Sequence, residues 1–153
     1  MKKIILAIVT LFLLGIAHAQ GFINLNKTGS KNYLAKFSAK EKLQTATAET
    51  DSTLTFLIRD SAKQNLDLLL HFDALGKCYK ETRVLSCDSC YQKMVNNTLS
   101  NKTYQWKKVD DKTYVSKYSK GLVLTLLAEG TFSFVIQRSE LGRKEYRRQF
   151  GKQ

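Results

Sequence analysis

The chain has 153 residues, with 25 Lys or Arg against 13 Asp or Glu, for a formal net charge of +12. That length suits one domain with a core of its own, and the basic surplus points toward anionic partners. There is no proline and there are only three cysteines and two histidines, which removes redox enzymes built on a cis-proline and leaves little for histidine-based chemistry.

The first residues read as an export signal. Lys2 and Lys3 precede a run from Ile4 to Ile16 that is apolar except at Thr10 and Gly15, and Ala17-His18-Ala19 supplies a small-x-small cleavage site. The run is too short to span a bilayer core, and no cysteine stands directly after the site to carry a lipid, the first being Cys78. The expectation is a signal at 1–19 and one exported α+β domain at 20–153, free in the periplasm or outside the cell and not lipid-anchored. Loss of Lys2 and Lys3 lowers the net charge from +12 to +10.

Gln20 to Ser30 is polar and glycine-containing, which predicts a mobile lead-in. Lys31 to Thr50 is rich in Ala, Lys and Glu, and Ser38-Ala39-Lys40-Glu41 matches a capping box, so a helix is expected there. Leu54, Phe56 and Ile58, then Leu66, Leu68, Leu70 and Phe72, alternate with more polar neighbours, the period of half-buried strands. A turn at Asp73–Gly76 leads to a third strand, from about Cys78 to Leu85.

Cys87, Cys90, Tyr91, Met94, Val95, Thr98 and Leu99 then fall on one face of a helix, with Ser86 as its expected cap. Tyr104–Val109 and Thr113–Tyr118 read as one hairpin about Asp110-Asp111. Leu122–Leu127 and Thr131–Gln137 read as another, turning near Glu129-Gly130. A basic helix, Glu140–Phe150, closes the chain. No internal repeat is visible. Short connections force antiparallel pairing, so the fold class is α+β: a single antiparallel sheet of about seven strands with helices packed on one face, in the order α-β-β-β-α-β-β-β-β-α.

Cys87-Asp88-Ser89-Cys90 at a helix start has the form of a thiol-redox motif, yet both cysteines lie on the buried stripe and no proline can face them. A structural disulfide is the expectation in an exported chain. Cys78 stands more than about 20 Å up its strand from Cys87, beyond disulfide reach, so Cys87–Cys90 is the local pair and Cys78 is left over. The same separation argues against zinc held by Cys78, Cys87, Cys90 and His71. Asp67 lies roughly 13 Å from His71 along its strand, too far for a triad, and no other catalytic motif is present. Neither cofactor nor metal is expected.

Two groups of residues remain as binding candidates. Tyr104, Trp106, Lys107, Lys108 and Tyr114, with Lys117, Tyr118 and Lys120, interleave rings and cations on one hairpin, a composition suited to stacking and to anions. The alternative is that the rings cover the core and the lysines face solvent. Arg143, Lys144, Arg147 and Arg148 form i,i+4 pairs in the last helix, read as one cationic face. The leading expectation is a non-catalytic exported binding module, with an anionic polymer, an anionic lipid surface or a protein as candidate partners. The alternatives are a periplasmic thiol-redox protein using Cys87 and Cys90, and a small hydrolase built from scattered carboxylates.

Overall fold

The computed structural model describes residues 21–59, 65–127 and 131–151. The export signal at 1–19 and the turn expected near Glu129-Gly130 lie outside the described residues. Eleven elements follow one another: α1 (Lys27–Glu41), β1 (Gln44–Glu49), β2 (Thr53–Arg59), β3 (Asn65–Phe72), β4 (Cys78–Leu85), α2 (Asp88–Leu99), β5 (Lys107–Lys108), β6 (Thr113–Val115), β7 (Leu122–Leu126), β8 (Ser133–Arg138) and α3 (Arg143–Phe150). The strands form one antiparallel sheet in the order β1-β2-β3-β4-β8-β7-β6-β5. A helix followed by four strands therefore occurs twice, and the last strands of the two halves, β4 and β8, pair at the seam.

Directly opposed residues share a face, so the register shows what the sheet buries. One row runs Leu54, Leu70, Glu81, Ile136, Leu124, Tyr114. The next runs Phe56, Leu68, Arg83, Phe134, Leu126. Leu34 of α1 and Cys90, Met94 and Val95 of α2 pack against these rows in one core cluster. Each large apolar side chain buried there contributes about 1.5–3 kcal/mol relative to exposure. The opposite face alternates as expected: Thr53, Thr55, Leu57 and Arg59 of β2 are only half-buried.

Both apolar rows are interrupted on β4 by a buried ion pair. Arg83 donates to Glu81 Oε1 through Nε at 3.0 Å and Nη2 at 2.6 Å, and its guanidinium lies 5.6 Å from the Phe134 ring centroid. Burial pushes the Glu81 carboxyl above the usual carboxylate range, against the pull of Arg83. A pair of this kind is costly to break from one side. It stands where the two halves meet.

The expected strands Tyr104–Val109 and Thr113–Tyr118 shrink to Lys107–Lys108 and Thr113–Val115, and the last helix begins at Arg143 instead of Glu140. Beyond these bounds, three local readings change. Residues 21–26, expected to be a mobile lead-in, carry two core side chains, Phe22 and Ile23. Main-chain bonds from Asn24 to Cys78 and from Cys78 to Leu25 hold the segment to the start of β4. The first helix starts earlier, at Lys27, where Asn26 Oδ1 accepts the N–H of Gly29 at 2.7 Å. It also stops at Glu41, because Lys42 adopts a left-handed conformation (φ 54°). Ser38 thus sits in its last turn and caps no N-terminus. The Thr-rich stretch after it becomes β1, an eighth strand paired with β2 over all six residues. The third change is at α2, where the cap is Cys87, one residue beyond Ser86: its Sγ accepts the N–H of Cys90 at 3.1 Å.

Candidate anion-binding groove

The last helix is seated by its aromatic side chains. In α3, residues 143, 146, 147 and 150 fall at i, i+3, i+4 and i+7 and share a face. Tyr146 is buried, packed edge-on against Tyr118 (centroids 5.4 Å apart) and Phe150 (4.9 Å), and its hydroxyl donates to the Ser116 carbonyl at 2.6 Å. Burial holds its phenol above the ordinary tyrosine range. The helix end is anchored too, since Lys107 Nζ donates to the Phe150 carbonyl at 3.0 Å, a favourable place for a cation. Gly151 follows at φ 80°, and a Cβ there would stand 3.2 Å from Lys107 Nζ.

The turn that receives α3 is equally fixed. Between β6 and β7 the N–H of Lys117 donates to Tyr104, Lys120 and Gly121 donate to the Lys117 carbonyl, and Ser116 Oγ accepts from Leu122 at 2.9 Å. Gly121 takes φ 58°, the left-handed conformation that lets the turn close. Between this turn and α3 lies a cavity of about 230 Å³ lined by Gln105, Lys117, Tyr118, Ser119, Arg143, Tyr146, Arg147 and Gly151. Three of these residues are cations and none is a carboxylate. Among the described residues, Lys117, Arg143 and Arg147 belong to no ion pair, whereas Lys31, Lys40, Arg59, Lys108 and Arg138 each have an acidic partner. The arrangement offers two guanidinium forks, an ammonium, a hydroxyl and an amide to an incoming oxyanion.

The candidates read from sequence are divided by the structure. Of the basic residues on α3, Arg143 and Arg147 line the groove, while Lys144 and Arg148 do not. Tyr104 and Trp106 stack on each other (5.7 Å, 22°), and with Tyr114 they pack against the core cluster. Lys107 and Lys108 are exposed, one bound to the end of α3 and the other paired with Asp111 at 2.9 Å. The hairpin's rings therefore cover the core, and its lysines face outward. Gln105 and Ser119 were not legible as site residues: both belong to turns whose geometry only the tertiary contacts set.

At the head of α2, Cys87 and Cys90 form a disulfide with Cα atoms 5.3 Å apart. Cys90 is buried and Cys87 half-buried. Cys78 is free and fully buried, its thiol pushed up to about 12 mainly by desolvation, a placement that disfavours the bridge between chains. His71 lies beside Tyr79, and burial with the nearby Lys80 lowers its pKa. Asp67 is engaged by Arg59 at 2.7 Å. Among the described residues no group of three or more His, Cys, Asp or Glu gathers as a metal site, and no helix is long and apolar enough to cross a membrane. Comparison with protein families, with curated proteins and with solved structures finds no match.

Proposed function

We propose that this is an exported, non-catalytic binding module that takes an anionic group of a larger partner in the groove between α3 and the β6–β7 turn. The observation that carries the reading is the convergence of Lys117, Arg143 and Arg147 on one cavity without a carboxylate in its lining. Export is supported by the signal pattern of residues 1–19 and by the Cys87–Cys90 disulfide, a bond favoured in oxidising compartments. The disulfide itself closes the first turn of a helix whose buried face includes Cys90, which suits a structural role better than the thiol-redox alternative.

The test is titration of the purified protein with inorganic polyphosphate at several salt concentrations. Affinity falls steeply as salt rises, because each neutralised phosphate releases counterions. Charged hydrogen bonds are worth about 1.5–3 kcal/mol each, so Arg143→Gln with Arg147→Gln lowers affinity roughly tenfold or more. Lys144→Gln with Arg148→Gln removes the same charge from the same helix and has a much smaller effect. Equal losses from the two pairs would reduce the groove to part of a diffuse basic surface.

A further inference from the structure

The two edges of the sheet are built differently. β5 is two residues long, and both are lysines, two of the devices by which proteins stop an edge from pairing. β1 has neither the shortness nor the lysines. Gln44–Glu49 contains no lysine or proline, runs six residues in unbroken register with β2, and is exposed along its whole length. Its outer rim of main-chain groups meets no partner among the described residues.

The hydrogen bonds around β2 show which groups form that rim. The Phe72 N–H donates to the Ser52 carbonyl at 2.9 Å and the Thr50 N–H donates to the Thr53 carbonyl at 3.2 Å. Bonding alternates along an antiparallel strand, so in the β1–β2 register Gln44, Ala46, Ala48 and Thr50 point their main-chain groups at β2. Thr45, Thr47 and Glu49 point theirs outward. A two-fold axis that joins antiparallel strands must set one residue opposite its own copy, since only then do opposed side chains stay on the same face. With outward groups at 45, 47 and 49, the central register places Thr47 opposite Thr47, Thr45 opposite Glu49, and Ala46 opposite Ala48.

That register is self-complementary. Each of the outward pairs exchanges both main-chain bonds, threonine opposite threonine is a favourable cross-strand pair, and the small alanines leave the other side unobstructed. Glu49, the one charged residue of the strand, meets a threonine of the second copy, not another carboxylate, and keeps its own ion pair with Lys31. We infer that β1 is a homotypic docking edge, through which two copies of this chain join their sheets around a two-fold axis at Thr47. The contact is small beside the roughly 1,600 Å² of a standard stable interface, so the association is weak and concentration-dependent.

Thr47→Pro tests it selectively. The lost N–H is one that β2 does not use, and proline is tolerated on the open side of an edge strand, so the fold stands while pairing on the axis is blocked. Thr47→Lys is the second variant, which sets a cation opposite its own copy. In sedimentation equilibrium the wild-type mass climbs from monomer toward dimer as concentration rises. Both variants stay monomeric, with unchanged circular dichroism. Hydrogen exchange of the Thr45, Thr47 and Glu49 amides slows with concentration in the wild type only. A wild-type chain monomeric at every soluble concentration overturns the inference, whatever else β1 binds. So does a dimer that both substitutions leave intact.

Discussion

Tyr146 links the fold to the groove, and two substitutions there separate its contributions. Tyr146→Phe deletes the 2.6 Å bond to the Ser116 carbonyl while keeping the ring between Tyr118 and Phe150. A net hydrogen bond is worth about 0.5–1.5 kcal/mol, and a carbonyl left buried without its partner adds to that. The loss is about 1–2 kcal/mol, with α3 still seated. Tyr146→Ala also removes the ring, and emptying a buried aromatic site costs about 3–5 kcal/mol. An eight-residue helix cannot absorb that loss, because isolated helices under about 12 residues are marginal even in favourable sequences. The rest of its seat is slight: Tyr146 is its one buried residue, its N-cap, Gly142, offers no side-chain bond, and Lys107 holds only the Phe150 carbonyl at its end.

The consequence of Tyr146→Ala is therefore local. α3 leaves the turn, Arg143 and Arg147 leave the groove, and the sheet remains. Hydrogen exchange reads this directly through the Tyr146 and Gly151 amides, which donate to Gly142 and Arg147 inside the helix. In the alanine variant they exchange far faster while β2 and β3 amides keep wild-type protection, and polyphosphate affinity falls to the level of the Arg143→Gln, Arg147→Gln pair. In the phenylalanine variant both stay near wild type. Loss of protection across the whole sheet in Tyr146→Ala would refute the claim that α3 is a separable unit. Full polyphosphate affinity with α3 detached would refute its role in binding.

Glu81→Ala removes the carboxylate that Arg83 bonds in the core and costs about 3–5 kcal/mol, whereas Glu81→Leu with Arg83→Met costs much less than the single changes added together; additive losses in urea melts would show that the two are not coupled. Since burial raises the Glu81 pKa, its favourable share of stability is complete at low pH and is lost as pH rises through that raised value, a slope that Glu81→Gln abolishes. Cys78, buried and with a thiol pushed up to about 12, takes up no iodoacetamide at pH 8 in the native chain and reacts once the chain is unfolded; labelling of the folded protein would contradict its placement.

The sheet was legible because its strands announce themselves by period. Leu54–Ile58 and Leu66–Phe72 alternate, and the register puts Leu54, Phe56, Ile58, Leu66, Leu68 and Leu70 on the helix side, with Leu57 and Leu69 on the other. The stripe from Cys87 to Leu99 gave α2 for the same reason. β1 was missed because Gln-Thr-Ala-Thr-Ala-Glu buries nothing on either face. An edge strand held only by main-chain bonds has no hydrophobic period to read, and its alanines and flanking lysines resemble helix. Phe22 and Ile23 were hidden by polar neighbours, although two adjacent large apolar residues are costly to leave in water. The duplication of helix and four strands left no trace in the residues, since topology constrains only where apolar positions recur.

The groove was half legible, and the missed half follows from one choice of period. Reading 143/147 and 144/148 together as a single cationic face sets Tyr146 and Phe150 apart from it, whereas the structure puts them beside Arg143 and Arg147. The spacing Arg143, Tyr146, Arg147, Phe150 defines a face with two rings to bury and two guanidinium groups at its margin, and this face is the one turned to the β6–β7 turn. Burial decides orientation and charge follows it. On the hairpin the same rule worked the other way: Tyr104, Trp106 and Tyr114 were drawn to the core, which leaves stacking to Tyr118 alone at the groove.

The placement of the two proposed contacts at opposite ends of one sheet has a further consequence. β1 is one edge, and α3 is seated on the turn beside the other. Pairing through β1 would join two sheets edge to edge and leave their grooves roughly 60 Å apart, taking about 4.8 Å per strand. A single short anion would occupy one groove and be indifferent to pairing. A polymer long enough to reach both would be held by two weak sites acting together, which multiplies affinity without any new contact. Weak self-association and a modest anion groove, each insufficient alone, would then suit the proposed polyanion partner, and the short edge at β5, guarded by Lys107 and Lys108, would keep such assembly closed at the dimer.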